Sequence, residues 1–355
     1  MQVLITVIIL AVIHYINLVG SIKTSFIRQH LGSRTPYRFR ANKNDSRIKY
    51  PSCKDSKIWM VIRHGTRLPS RKDLDAVAKL VDLKYEVLLQ HEYGKGQLTN
   101  EQINRLQDWK VDIDPDQDSY LTLEGQDEMI LMAERMQKRF PNAIKQKYSN
   151  KTFLFRYTAT QRAQQSARYF TNGLFEKKDA QDIIFAPATR VDPVLRMFEY
   201  YHDLKAYWLD GYGHELSYRQ ACMSIKNMFE FFDKADGYQS IFMFSHSGTI
   251  LKILTHMKLY QPASPLRGDA IVKDRPWKLS EIDCFAANLA FVLFKCKDGD
   301  HVLALHQEKI IKLPMCKHEL CPLKHLKQYF HDSIYKCDYS DMCSLQPNRT
   351  NNKED

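Results

Sequence analysis

The chain has 355 residues, 44% of them hydrophobic, and 52 Lys and Arg against 41 Asp and Glu give it a formal charge of +11. That apolar content excludes global disorder and can bury a large core, and the length suits one large domain or two closely joined ones. The positive excess attracts anions, but the Lys and Arg are dispersed and no RNP box, zinc finger or basic heptad is present, so the expected partner is a small phosphorylated molecule rather than nucleic acid.

Taken in chain order, residues 3–13 form an apolar run too short for a membrane span, which reads as a signal peptide over 1–20. The charged n-region is missing and the cleavage site near Val19-Gly20-Ser21 is only fair, so an uncleaved N-terminal anchor stays open. No stable span is expected once the signal is cleaved. A basic leader over 21–49 has no periodicity. Ile58-Trp59-Met60-Val61-Ile62 then predicts a buried strand that runs straight into Arg-His-Gly.

From Arg71 to about Asp118, Leu74, Val77, Leu80 and Leu83 are spaced as in helices over a core. Thr122 can cap a helix with Met129, Met132, Ala133, Met136 and Phe140 on one face, ending before Pro141. Thr152 to Tyr157 reads as a strand, and Thr158 or Thr160 can cap a helix that buries Ala163, Ala167, Phe170 and Leu174. Ile241 to Phe244 is a further buried strand. It leads through Ser245-His246-Ser247-Gly248-Thr249 into a helix carrying Ile250, Leu251, Leu254 and Met257. Leu289 to Phe294 and His301 to Leu305 flank Asp298-Gly299-Asp300 as a hairpin. The pattern predicts one α/β domain over 50–345, with a mixed, mostly parallel sheet flanked by helices. Its core covers about 50–70, 150–188 and 238–325. Helical cap segments cover about 71–149 and 189–237, and a polar tail 346–355.

Eight cysteines behind a signal peptide predict four disulfides, with Cys316 to Cys321 and Cys337 to Cys343 spaced as small loops. Sequons at Asn44, Asn150 and Asn348 agree with a secreted or lumenal glycoprotein.

Phosphoryl transfer to a side chain needs a nucleophile, fixed cations around the phosphate oxygens, and an acid for the leaving alkoxide. His64 follows a buried strand between Arg63 and Arg67, and Arg156 and His246 end two further strands. All can converge at one sheet edge, where the helix after His246 also favours an anion. No His-Glu-x-x-His, Gly-x-Ser-x-Gly or P-loop is present, and the chemistry requires no metal or cofactor.

Arg63-His64-Gly65-Thr66-Arg67-Leu68-Pro69 resembles the signature of the histidine acid phosphatases, over roughly residues 50–345. The run from Arg156 to Ala167 and Phe285-Ala286-Ala287-Asn288-Leu289 are most similar to the multiple inositol polyphosphate phosphatase clade, which includes phytases. The resemblance implies a phosphohistidine at His64, with Arg63, Arg67, Arg156 and His246 holding the phosphate. Thr66 and Ser247 would add contacts, and Arg71 and Lys72 would meet further phosphates. The implied substrate is an inositol polyphosphate, with 2,3-bisphosphoglycerate as a second candidate.

One departure bears on the reaction. That family places a carboxylate just after the distal His, whereas this chain reads His246-Ser247-Gly248. Glu199, Asp203 and Asp283 are candidate substitute donors. Without one, the chain would be a slow phosphatase or a binder of phosphorylated anions that does not turn over. A phosphoglycerate mutase-like enzyme is disfavoured by the secretory features.

Overall fold

The computed structural model describes residues 28–175 and 192–338, with side chains given outside 192–198. The expected signal peptide, Cys343, the sequon at Asn348 and the polar tail lie outside the described residues. Seven strands form one sheet: β1 (Cys53–Arg63), β2 (Phe153–Tyr157), β3 (Ser240–Ser245), β4 (Asn288–Cys296), β5 (Gly299–His306), β6 (Lys309–Ile311) and β7 (Leu320–Pro322). Their order is β2-β3-β1-β4-β5-β6, with β7 also paired to β5.

The expected α/β class holds, with a different balance of strand directions. β3 runs parallel to β1 and β2, whereas the pairings of β1 with β4 and of β5 with β4, β6 and β7 are antiparallel. Short connections explain the antiparallel half: β4, β5 and β6 follow each other through turns too short for a crossover.

Beside three short 3-10 helices, the described residues form the α-helices α1 (Arg71–Ala78), α2 (Leu80–Glu92), α3 (Asn100–Asp108), α4 (Leu123–Arg139), α5 (Gln161–Phe175), α6 (Asp192–Asp210), α7 (Glu215–Arg219), α8 (Cys222–Asp233), α9 (Ser247–His256), α10 (Leu279–Ile282), α11 (Leu323–Tyr329) and α12 (His331–Tyr335). Successive strand side chains face opposite sides. Trp59 and Val61 of β1 therefore join a core with α8 and α9, while Ile58, Met60 and Ile62 join a second core with α4 and α5. Thus α4 and α8, read as cap segments, are sheet-covering layers. Helices α1 to α3 contribute no residue to either core, and Leu80, Leu83, Tyr85 and Leu89 are exposed.

From residue 28 the basic leader is folded onto the domain. Tyr37 is buried, its amide donates to Glu128 and its hydroxyl to Glu308, both at 2.8 Å. Cross-links also differ from the expected four pairs. Cys53 bonds Cys296 across β1 and β4, and Cys316 bonds Cys321 as spaced. Cys337 bonds Cys222 rather than Cys343, and Cys284 is a buried free thiol. Asn44 and Asn150 are exposed.

Candidate active site

Parallel pairing sets β1, β2 and β3 with their C-terminal ends together: Arg63 is opposite Ser245 and Tyr157 opposite Phe244. The residue after β1 is His64, buried at 3% exposure. Its Nδ1 lies 2.9 Å from the Gly65 carbonyl, which can only accept, so Nδ1 carries the proton and Nε2 keeps its lone pair. Burial, then the Arg63 cation, drives its pKa down to about 2 against the pull of that carbonyl bond, with Arg162 and His246 adding to the fall. The ring is therefore neutral at any physiological pH.

The loop that carries His64 is fixed by backbone contact. A Cβ on Gly65 would sit 2.5 Å from the carbonyl oxygen of Gly125 in the first turn of α4. The Gly65 amide donates to Ser166 Oγ of α5 (3.1 Å), and the His64 carbonyl accepts from the Ala286 amide (3.1 Å). Thr66, expected to touch substrate, instead gives its amide (2.7 Å) and hydroxyl (2.8 Å) to Glu128, a buried α4 carboxylate whose pKa burial raises to about 7. Its hydroxyl is committed to holding the loop.

Around this histidine lie three arginines, with Asp283 acting on Arg63, Asp73 on Arg67 and Asp118 on Arg162. Arg63 is buried over the Phe285 ring (4.9 Å) and donates from Nη1 to the carbonyls of Ser33 (2.5 Å) and Asp283 (2.8 Å), while its Nε has no partner. Arg67 donates to the Leu68 carbonyl (2.7 Å); burial, then Arg162, Arg63 and Arg34, brings its pKa down to about 10. Arg162 is lowered by burial and then by Arg63, and its buried Nε is also unpartnered. Like charges packed this closely favour a bound anion.

His246 caps the N-terminus of α9, with Nε2 2.8 Å from Thr158 Oγ1 and its ring centroid 5.5 Å from that of His64. Burial, then Arg162, Arg63 and Arg67, lowers its pKa. Ser247 donates its hydroxyl to Asp283.

The structure thus brings together His64, Arg63, Arg67, His246 and Ser247. Arg156 is exposed at the end of the edge strand β2, whereas Arg162, in the first turn of α5, joins Arg63 in acting on both histidines. Arg71 and Lys72 are exposed on the first turn of α1, where Arg71 leans on Asp75 (4.0 Å) and the Pro115 carbonyl (3.3 Å). Two candidate donors are fully engaged elsewhere. Glu199 takes the Ser280 hydroxyl and lies 3.5 Å from His30, and Asp203 clamps Arg275 and the Leu279 amide (2.9 Å). Asp283 does adjoin the cluster, 3.6 Å from Arg63, with its pKa raised to about 6 by burial against the pull of Arg63 and Ser247. It is completely buried, which suits holding Arg63 and Ser247 in place more than reaching a ligand.

Comparison with known proteins follows the same lines. Residues 56–193 match the family model described as histidine phosphatase superfamily (branch 2). Multiple inositol polyphosphate phosphatase 1 of Drosophila melanogaster is 22% identical over 386 residues, 82% of this chain and 83% of that protein. The Homo sapiens protein of the same name is 29% identical over 167 residues, covering 42% of this chain and 34% of its own length. Among solved structures, the phytase from D. castellii superposes with a TM-score of 0.72 at 14% identity, over 89% of this chain and 87% of that one. A Bifidobacterium longum multiple inositol polyphosphate phosphatase in complex with inositol hexasulfate gives 0.61 at 11% identity, over 85% and 97%.

Proposed function

We propose that this chain is a phosphatase of the histidine phosphatase superfamily (branch 2) and that it removes phosphate from inositol polyphosphates through a phosphohistidine at His64. The observation that carries the reading is a neutral imidazole whose tautomer leaves Nε2 as the nucleophile, set among the partly unneutralised cations Arg63, Arg67 and Arg162. The guanidinium groups bind the phosphate oxygens and hold phosphorus against Nε2, supplying charge where the transition state develops it. His246 adds a hydrogen bond to the same oxygens. The names of the Drosophila and human relatives support the substrate class, and exposed Arg71 and Lys72 suit contacts with phosphates that are not reacting. The three disulfides among the described residues support folding in an oxidising, secretory compartment.

A second reading has one observation in its favour: Gly248 supplies no acid beside His246, and a chain without a donor would hold phosphorylated anions and turn them over slowly. Phosphate release from inositol hexakisphosphate, compared between wild type and His64→Ala, decides between the two. The expected result is release by the wild type alone. Equal release from both proteins sinks the phosphohistidine mechanism, and saturable binding without release establishes the binder. Parallel assays with 2,3-bisphosphoglycerate and 4-nitrophenyl phosphate separate the substrate class from the chemistry.

A further inference from the structure

An alkoxide leaves phosphorus slowly unless it is protonated as the bond breaks, so an acid must meet the leaving oxygen beside the cation cluster. Among the carboxylates near the motif, Glu128 is buried under Thr66 and Asp283 is buried behind Arg63 and Ser247. A third arrives from another direction. Asp210 is the last residue of α6, and its carboxylate lies against Gly248: a Cβ built on that glycine would fall 2.9 Å from Oδ1 and 3.4 Å from Oδ2.

Its placement is built by packing. Tyr207 of α6, Leu251 of α9 and Trp277 share one buried cluster, which sets the end of α6 beside the start of α9. Gly211, next in the chain, lets the Trp277 ring approach to 2.6 Å of where a Cβ would sit. A helix C-terminus is where the helix field disfavours a carboxylate, so capping does not explain an Asp there. Lys252 is 3.7 Å away, and the Asp210 side chain remains 30% exposed, whereas that of Asp283 is wholly covered. The negative charge of Asp210 also acts on Asp283.

We propose that Asp210 is the proton donor of the reaction, and that the missing side chain at Gly248 is the space its carboxyl group occupies. The assignment rests on the phosphatase reading above. The His64 Nε2 lone pair forms the N–P bond while the P–O bond to the alcohol breaks. The leaving oxygen keeps the bonding pair and takes the proton of the Asp210 carboxyl group. Water then attacks the phosphohistidine, gives its proton to the Asp210 carboxylate and releases inorganic phosphate, returning the lone pair to His64.

Leaving-group dependence tests this, because 4-nitrophenolate leaves without protonation and inositol alkoxide does not. Asp210→Asn is expected to lower kcat/KM for inositol hexakisphosphate, which reports the phosphoryl-transfer step and not the later hydrolysis, about 10²- to 10⁴-fold more than kcat/KM for 4-nitrophenyl phosphate. Gly248→Ala, whose methyl group displaces the carboxylate without removing it, should show the same selective loss. Equal losses on both substrates, or wild-type turnover of the inositol ester by Asp210→Asn, would overturn the assignment while leaving the phosphatase intact. Wild-type protein that hydrolyses neither ester overturns the phosphatase reading, and the donor role with it.

Discussion

At Arg162 burial and the neighbouring Arg63 both work against the positive charge, yet a guanidinium does not deprotonate near neutrality. The side chain is therefore a cation held at an electrostatic cost that a phosphate dianion would relieve, the arrangement expected of a group that stabilises developing charge. Arg162→Ala should lower kcat by about 10²- to 10³-fold, as does loss of one such donor. Arg156→Ala, at an exposed edge position, should leave both kcat and KM near wild type. Steady-state assays of the two variants side by side check this; comparable losses in both would place Arg156 in the site. The two arginines were hard to tell apart in sequence because both sit in Phe-Arg-Tyr-Thr-Ala-Thr-Gln-Arg, one at a strand end and the other just inside a helix. The side-chain alternation of β2 and the first turn of α5 separate them, and both require the register. Asp210 was not legible at all, since it reaches Gly248 through the contact of α6 with α9. Glu199 and Asp203 were plausible by residue type, and their partners Ser280 and Arg275 appear only in three dimensions.

The motif loop is held by one element more than by any single side chain. Helix α4 brings Gly125 under Gly65 and Thr66, where a Cβ on Gly125 would lie 2.2 Å from the Thr66 carbonyl oxygen. Two effects of Gly125→Ala oppose each other. Alanine should gain about 0.5–1 kcal/mol by helix propensity, while overpacking a tight contact costs about 1–3 kcal/mol. The second wins, because backbone faces the added methyl group and cannot rotate away. A lower Tm together with reduced kcat is the expected outcome of thermal melts and assays on this variant. A higher Tm at unchanged kcat would mean that α4 does not clamp the loop. At this scale the sequence was informative wherever an apolar run or a cap marked an element: β1, β3, α4, α5 and the β4–β5 hairpin fall where the patterns put them. The antiparallel half was less legible because β6 and β7 have three residues each, too few for a period. Residues 28–49 have no period either, since hydrogen bonds such as those of Tyr37, rather than a repeating apolar face, hold them in place.

Across the whole molecule, two sets of buried groups pull the pH dependence of stability in opposite directions. Burial raises Glu128 to about 7 and Asp283 to about 6, so the folded chain binds these protons more readily than the unfolded one. That contribution fades as pH rises through this range. His64 is lowered to about 2, and His256 and His306 to about 4, all by burial first. The unfolded chain takes up their protons from about pH 6.5 downward and the folded chain does not, so stability falls as pH drops from 6.5 towards 4. His306 isolates this effect away from the motif. Its Nε2 donates to the Ile282 carbonyl (2.9 Å), and its Nδ1 accepts from the Tyr260 hydroxyl (2.7 Å), so protonation would set two donors face to face. Its contribution over that window is on the order of 3 kcal/mol. His306→Gln should lower Tm at pH 7.5 by breaking those bonds, yet flatten the slope of Tm between pH 6.5 and 4. Melting curves across that range give both readings, and a variant slope as steep as that of the wild type would show that His306 binds its proton equally in both states.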